Sequence, residues 1–253
     1  MKISNRRQFI TLGILLVVYA LAAFLTYAFF TAQLAATAGT PMPDMGVSPA
    51  VLGLANAGIV LVIYGLLGLA GYWFARKQGW PGIFSENGNW RRWFLIPLAL
   101  GLACGGVLIV GDVLFAPVNG FGRMVHPGFP VSILASLSAG IGEEILFRGF
   151  VLGLWGFLLN LLFRRFNLST VGFWIANIIS ALAFGAAHLE TVLVLAHTSS
   201  LAALNPVLIV EVFLLNGIVG LVAGERYRKD GLIAAMGVHF WCDMAFHVLW
   251  GLI

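Results

Sequence analysis

Three short runs in the second half of the chain carry the groups that could do chemistry, and each lies inside an apolar stretch. Gly142-Glu143-Glu144-Ile145-Leu146-Phe147-Arg148 holds two adjacent carboxylates and a guanidinium. Ala183-Phe184-Gly185-Ala186-Ala187-His188 ends on an imidazole, and His239-Phe240-Trp241-Cys242-Asp243 sets an imidazole one helical turn from a third carboxylate. Residues four apart share a helix face, so Glu144 with Arg148, Phe184 with His188 and His239 with Asp243 form three one-turn pairs. Glu143 is turned by about 100° from Glu144. Two acids beside one guanidinium leave one acid free to act as a general base. Together the runs supply a carboxylate base, imidazoles that can hold a water or donate to a developing oxyanion, and a further acid, which is a hydrolytic inventory. The same residue types on facing helices also suit a secondary transporter or proton relay.

The elements that must position these groups are set by composition. Only 24 of 253 residues are charged, or 9%, against about a quarter in soluble domains. With 60% apolar residues and a mean hydropathy of +0.98, the chain is expected to be an all-α, polytopic integral membrane bundle and not a soluble protein. Seven runs are long enough to span: about Phe9 to Ala32, Ala50 to Ala75, Trp93 to Phe115, Val131 to Phe163, Thr170 to Ala187, Pro206 to Ala223 and Leu232 to Ile253. A barrel would show short alternating segments instead. A charge at mid-bilayer costs about 2.5 kcal/mol or more, so Glu143, Glu144, Arg148 and Asp243 call for partners and a purpose.

Twelve of the 14 basic residues fall on one side of this seven-span topology. They are Lys2, Arg6, Arg7, Arg76, Lys77, Arg91, Arg92, Arg164, Arg165, Arg226, Arg228 and Lys229; Arg123 falls on the other side and Arg148 within a span. Short loops rich in Lys and Arg stay cytoplasmic, which predicts a multi-pass cell-membrane protein with a cytoplasmic N-terminus and an external C-terminus. The net charge of +4 is spread over loops, not clustered on one water-facing surface, so no nucleic-acid partner is expected. Cys104 and Cys242 lie in separate apolar stretches and form neither a disulfide framework nor a CxxC knuckle. Arg6-Arg7-Gln8-Phe9-Ile10 has the look of a twin-arginine signal and Ala36-Thr37-Ala38 that of a cleavage site. The apolar stretch between them is too long for a usual signal core, and an uncleaved anchor is expected.

The ordered set EExxxR at Glu143, Glu144 and Arg148, FxxxH at Phe184 and His188, and HxxxD at His239 and Asp243 resembles the CPBP family, which includes the type II CAAX prenyl endopeptidases and bacteriocin-processing or self-immunity membrane proteins. The resemblance runs from about Val131 to Leu249 and divides the chain into helices one to three (1–130) and a catalytic core (131–253). It implies an intramembrane endopeptidase, now described as glutamate-dependent and formerly as a metalloprotease, acting on a peptide or membrane-protein substrate. Glu143 would activate the attacking water, His188 would help to hold it, His239 would stabilise the oxyanion, and Arg148 would fix Glu144 as support. A catalytically silent immunity protein of the same architecture is the alternative within the family. Many members carry Asn at Asp243, and an ionised Asp cannot donate to an oxyanion. Asp243 is read as orienting His239 from behind, with a protonated or cation-binding role as alternatives. No cofactor is required on the glutamate reading. A zinc site built on His188, His239 and a carboxylate is the competing expectation, although HExxH is absent.

The fourth run would measure about 50 Å as a straight helix against a hydrocarbon core of about 30 Å, so it is expected to tilt, bend or break near Gly140, Gly142 or Gly149. At about 1.5 Å per residue, Glu143 and Asp243 both fall near mid-membrane. His188 falls about 27 Å from the start of its run, and placing Thr170 to Phe173 in the interface moves it inward by about one turn. Glu211 and Asn216 are candidates to line the same cavity. His247 is expected at the external interface, and Asp112, Asn56, Asn160 and Asn177 as interhelical hydrogen-bonding groups. Gly101 with Gly105, and Gly149 with Gly153, are expected to let helices approach closely.

Overall fold

The computed structural model describes residues 5–39 and 46–253; Lys2, counted above with the basic residues, lies outside them. Among the described residues there are helices and no strands. Seven helices are long and apolar enough to cross a membrane. They are α1 (Asn5–Phe29), α3 (Pro49–Lys77), α4 (Arg91–Phe115), α5 (Val131–Phe166), α6 (Ser169–Leu195), α7 (Pro206–Asp230) and α8 (Leu232–Leu252); a short α2 (Thr31–Ala38) follows α1.

Burial is distributed as lipid solvation requires. Large apolar side chains such as Ile14, Val17, Leu66, Val110 and Leu182 face outward, because lipid tails satisfy them as well as a protein core would. In α8, by contrast, 61% of the most apolar window is buried, so this helix is central and its polar residues point into protein. Small residues set the helix spacing. A Cβ on Gly71 of α3 would stand 2.5 Å from the Gly149 backbone of α5. One on Gly101 of α4 would stand 2.5 Å from the Val238 carbonyl of α8, and one on Gly105 would meet Ala245. The main core joins both halves of the chain, with Leu12, Leu16 and Tyr72 packed among Ile141, Ile145, Leu152, Tyr227 and Val238.

At one end of the bundle the start of α1, the α3–α4 connection and the α7–α8 turn meet. Buried Gln8 accepts from the Ile83 and Phe84 amides and donates to the Phe84 carbonyl. The free amides of Leu232 and Ile233 at the start of α8 donate to the carbonyls of Gly82 and Ile83, which satisfies a helix terminus without a side-chain cap. Gly231 is needed at this turn: its φ is +95° and a Cβ would meet Phe84. The elements carrying the basic residues converge here. Arg226 pairs with Asp230 at 3.1 Å and with Glu225, which also holds Lys229.

Several expectations change. The fourth span does not break: α5 continues through 36 residues and widens to π-helical winding over Glu144–Leu152. Gly149 lies within the widened stretch, whereas Gly140 and Gly142 are contact points for Phe240 and Tyr19. Wider winding turns carbonyls out of line, and Ser180 of α6 donates to the Phe147 carbonyl at 2.7 Å. The fifth helix begins at Ser169 and runs to Leu195, beyond the end of the apolar run at Ala187. Glu211 does not line the site; it is buried at the opposite end of the bundle from the basic cluster and accepts from Asn119 at 2.7 Å. Asn216 bonds to Val212 of its own helix. His247 is only partly buried and its Nδ1 lies 3.0 Å from Nδ1 of His126. Asn177 bridges α6 to the Leu221 carbonyl of α7, while Asn56 bonds within its own helix.

Candidate active site

The three chemical runs, distant in sequence, come together where α5, α6 and α8 pack. Glu143 is the last α-helical residue before the widened stretch of α5, and Asp243 stands just ahead of a second one, Met244–Leu249, in α8. Both acids therefore sit at changes of helical pitch, which occur frequently at functional sites.

The deeper layer is fully buried. Glu144 and Arg148 have no exposed surface. Oε1 of Glu144 receives Nη1 of Arg148 at 2.9 Å and Nδ1 of His239 at 2.8 Å. A carboxylate at Nδ1 fixes the orientation of an imidazole and directs its Nε2 the other way. The Arg148 guanidinium lies 4.3 Å above the Phe184 ring, and the same ring meets His188, His239 and Phe147 edge-on at centroid distances of 4.7, 5.3 and 5.3 Å. Phe184 is 1% exposed; it is the apolar wall on which both imidazoles and the guanidinium are set.

The outer layer is partly exposed. The side chains of Glu143 and His188 keep 34% and 32% of their surface exposed, whereas His239 keeps 4%. Oε2 of Glu143 lies 3.9 Å from Nε2 of His188 and 3.9 Å from Nε2 of His239. Nδ1 of His188 donates to the Phe184 carbonyl at 2.8 Å, which turns Nε2 towards Glu143. Spacings of 3.9 Å exceed a direct hydrogen bond, and Oε2 of Glu143 is buried without a hydrogen-bond partner.

Asp243 differs from its expected orienting role. It lies 3.6 Å from Nε2 of His239, on the Glu143 side, and Glu144 holds Nδ1 instead. An i, i+4 pair on α8 can bring Asp243 only to the near edge of the ring, and the far edge is reached across the interface from α5.

Sequence reasoning missed a contribution from α1. A Cβ on Gly142 would stand 2.5 Å from the Tyr19 hydroxyl, so this tyrosine rests on the backbone beside Glu143, and its ring packs edge-on against Tyr64 of α3 at 5.1 Å. A tyrosine in an apolar run gives no periodic signal that distinguishes it from lipid-facing aromatics.

Among the described residues no three His, Cys, Asp or Glu side chains are grouped so as to hold a metal ion. The histidine donors available are one Nε2 each from His188 and His239, and the latter has two carboxylates around it at 3.6 and 3.9 Å.

Comparison with curated proteins and with solved structures gives no match. The family model described as type II CAAX prenyl endopeptidase Rce1-like matches residues 126–245, a segment that contains every one of Glu143, Glu144, Arg148, Phe184, His188, His239 and Asp243. Seven helices long and apolar enough to span, a polar site built on three of them and this match agree with one another, and residues 126–245, a little under half of the chain, are similar to the Rce1-like family.

Proposed function

We propose that the protein is an intramembrane endopeptidase that hydrolyses peptide bonds of membrane-associated or prenylated substrates with a glutamate-activated water. The observation that carries this reading is the convergence of Oε2 of Glu143 with Nε2 of both His188 and His239 at 3.9 Å. A water held between Glu143 and His188 gives up a proton to Glu143 as its oxygen attacks the scissile carbonyl carbon. The oxyanion that forms accepts a hydrogen bond from Nε2–H of His239, which acts as the imidazolium because its Nδ1–H is already donated to Glu144. When the C–N bond breaks, Glu143 passes its proton to the departing nitrogen, which restores the carboxylate. Asp243, beside the same Nε2, positions the donor on the oxyanion side. The basic end of the bundle is taken as cytoplasmic by the positive-inside rule.

The test compares the membrane proteomes of cells expressing the wild type and Glu143→Gln for new N- and C-termini. Termini that depend on Glu143 support the reading. An identical set of termini, with both proteins folded and present at equal level, refutes it.

A further inference from the structure

A cavity of about 280 Å³ opens at the basic end of the bundle. It is removed from the Glu143 site, and its chemistry is different. Its polar lining comes from Gln78 after α3, Asn160 and Arg164 at the end of α5, Ser169 and Thr170 at the start of α6, and Arg228 near the end of α7. No carboxylate lines it. The neighbouring basic residue Arg226 is neutralised by Glu225 and Asp230, and Lys229 by Glu225, but among the described residues neither Arg164 nor Arg228 has a carboxylate partner.

Arg228 is the most telling member. Its Cζ lies over the Phe173 ring, 4.3 Å from the centroid, and its Nε is buried with no hydrogen-bond acceptor. A buried charged donor without an acceptor is costly unless a ligand supplies one. The start of α6 adds to the same field: the helix runs 27 residues without a side-chain cap, so its first-turn amides are free and its dipole favours an anion there. Gly156 keeps the space open, since a Cβ there would stand 2.6 Å from the Trp80 ring and 2.7 Å from Oε1 of Gln78. Planar guanidiniums, hydroxyls and free helix amides together match tetrahedral phosphate oxygens.

We infer that this cavity is a phosphate-binding site, which takes the headgroup of an anionic phospholipid or a free phosphate ion. Purified protein in a neutral detergent is titrated with short-chain phosphatidylglycerol, with short-chain phosphatidylcholine and with inorganic phosphate, each against sodium chloride of equal ionic strength. Thermal stability and native mass spectrometry are the readouts. Stabilisation by phosphatidylglycerol identifies a lipid headgroup, and stabilisation by inorganic phosphate to the same extent identifies the free ion. The Arg164→Gln/Arg228→Gln variant should bind the probe about tenfold or more weakly, through loss of charge-assisted hydrogen bonds. Arg91→Gln, which removes an exposed charge outside the cavity lining, should bind as wild type does. Gel-filtration elution and helicity of each variant establish that it is folded. Equal losses in the cavity and Arg91 variants, or no response of the wild type beyond sodium chloride, would overturn the inference.

Discussion

Replacing each of the two adjacent glutamates by glutamine should produce opposite phenotypes. Glu144 is completely buried and its Oε1 holds both Arg148 and His239 at 2.9 and 2.8 Å. The Glu144→Gln change keeps the shape but removes the counter-charge of an equally buried guanidinium, a loss of about 3–5 kcal/mol for a buried pair broken on one side. At about 2–4 °C per kcal/mol for a chain of this size, the melting temperature should fall by about 6–20 °C. Glu143 has a third of its side-chain surface exposed and no contact closer than 3.9 Å to either imidazole, so Glu143→Gln should leave stability within about 1 kcal/mol. Loss of the general base should lower turnover by about 10²–10⁴-fold. Tryptophan-fluorescence melting in detergent, followed by cleavage of an internally quenched prenylated peptide or of a substrate found by terminus mapping, measures both quantities on the same preparations. A Glu143→Gln protein that melts many degrees early, or a Glu144→Gln protein as stable as the wild type, would show that the division into a buried clasp and an open base is wrong.

Three further outcomes follow from the same geometry. Activity should survive dialysis against a strong zinc chelator; loss of activity that zinc restores would return His188 and His239 to the role of metal ligands. A Gly142→Ala change places a methyl against the Tyr19 ring and hydroxyl, so α1 must shift beside Glu143 at a cost of about 1–3 kcal/mol; a Tyr19→Ala/Gly142→Ala double variant should recover part of that loss in the same melting assay. His126, in the segment between α4 and α5, is held below its ordinary value of 6.5 because burial disfavours the charged ring. A histidine whose folded pKa is depressed binds its proton more readily when unfolded, so its contribution to stability is present above pH 6.5 and is lost as the pH falls. Melting temperatures measured from pH 7.5 to 5.5 should therefore fall less steeply for His126→Phe than for the wild type, and parallel curves would remove His126 as the cause.

Much of the architecture was legible because lipid imposes strict rules on sequence. Every backbone polar group must be satisfied within its own segment, so spans appear as apolar runs, and five of the seven were placed to within a few residues at both ends. The other two, α6 and α7, start where expected but continue past their apolar runs to Leu195 and Asp230, because charged side chains such as exposed Glu190 leave the backbone free to continue. The glycine pairs were also legible, since small residues four apart have few uses in a span other than close packing. What the runs could not reveal was pitch. Whether α5 breaks, bends or widens depends on what its freed carbonyls meet, and the partner of the Phe147 carbonyl is Ser180 on another helix.

For the site itself, the sequence determined the inventory: which acids, imidazoles and guanidinium lie in lipid, where their rarity and their desolvation cost make each one conspicuous. It also determined the pairs within a helix, because i, i+4 geometry is local. Only the tertiary structure decided the pairs between helices. It assigned Nδ1 of His239 to Glu144 and not to Asp243, set Glu143 facing both Nε2 atoms, and brought Tyr19 against the backbone beside it. Those choices depend on crossing angles and helix pitch fixed by many small contacts spread along the chain, and no single spacing in the sequence encodes them.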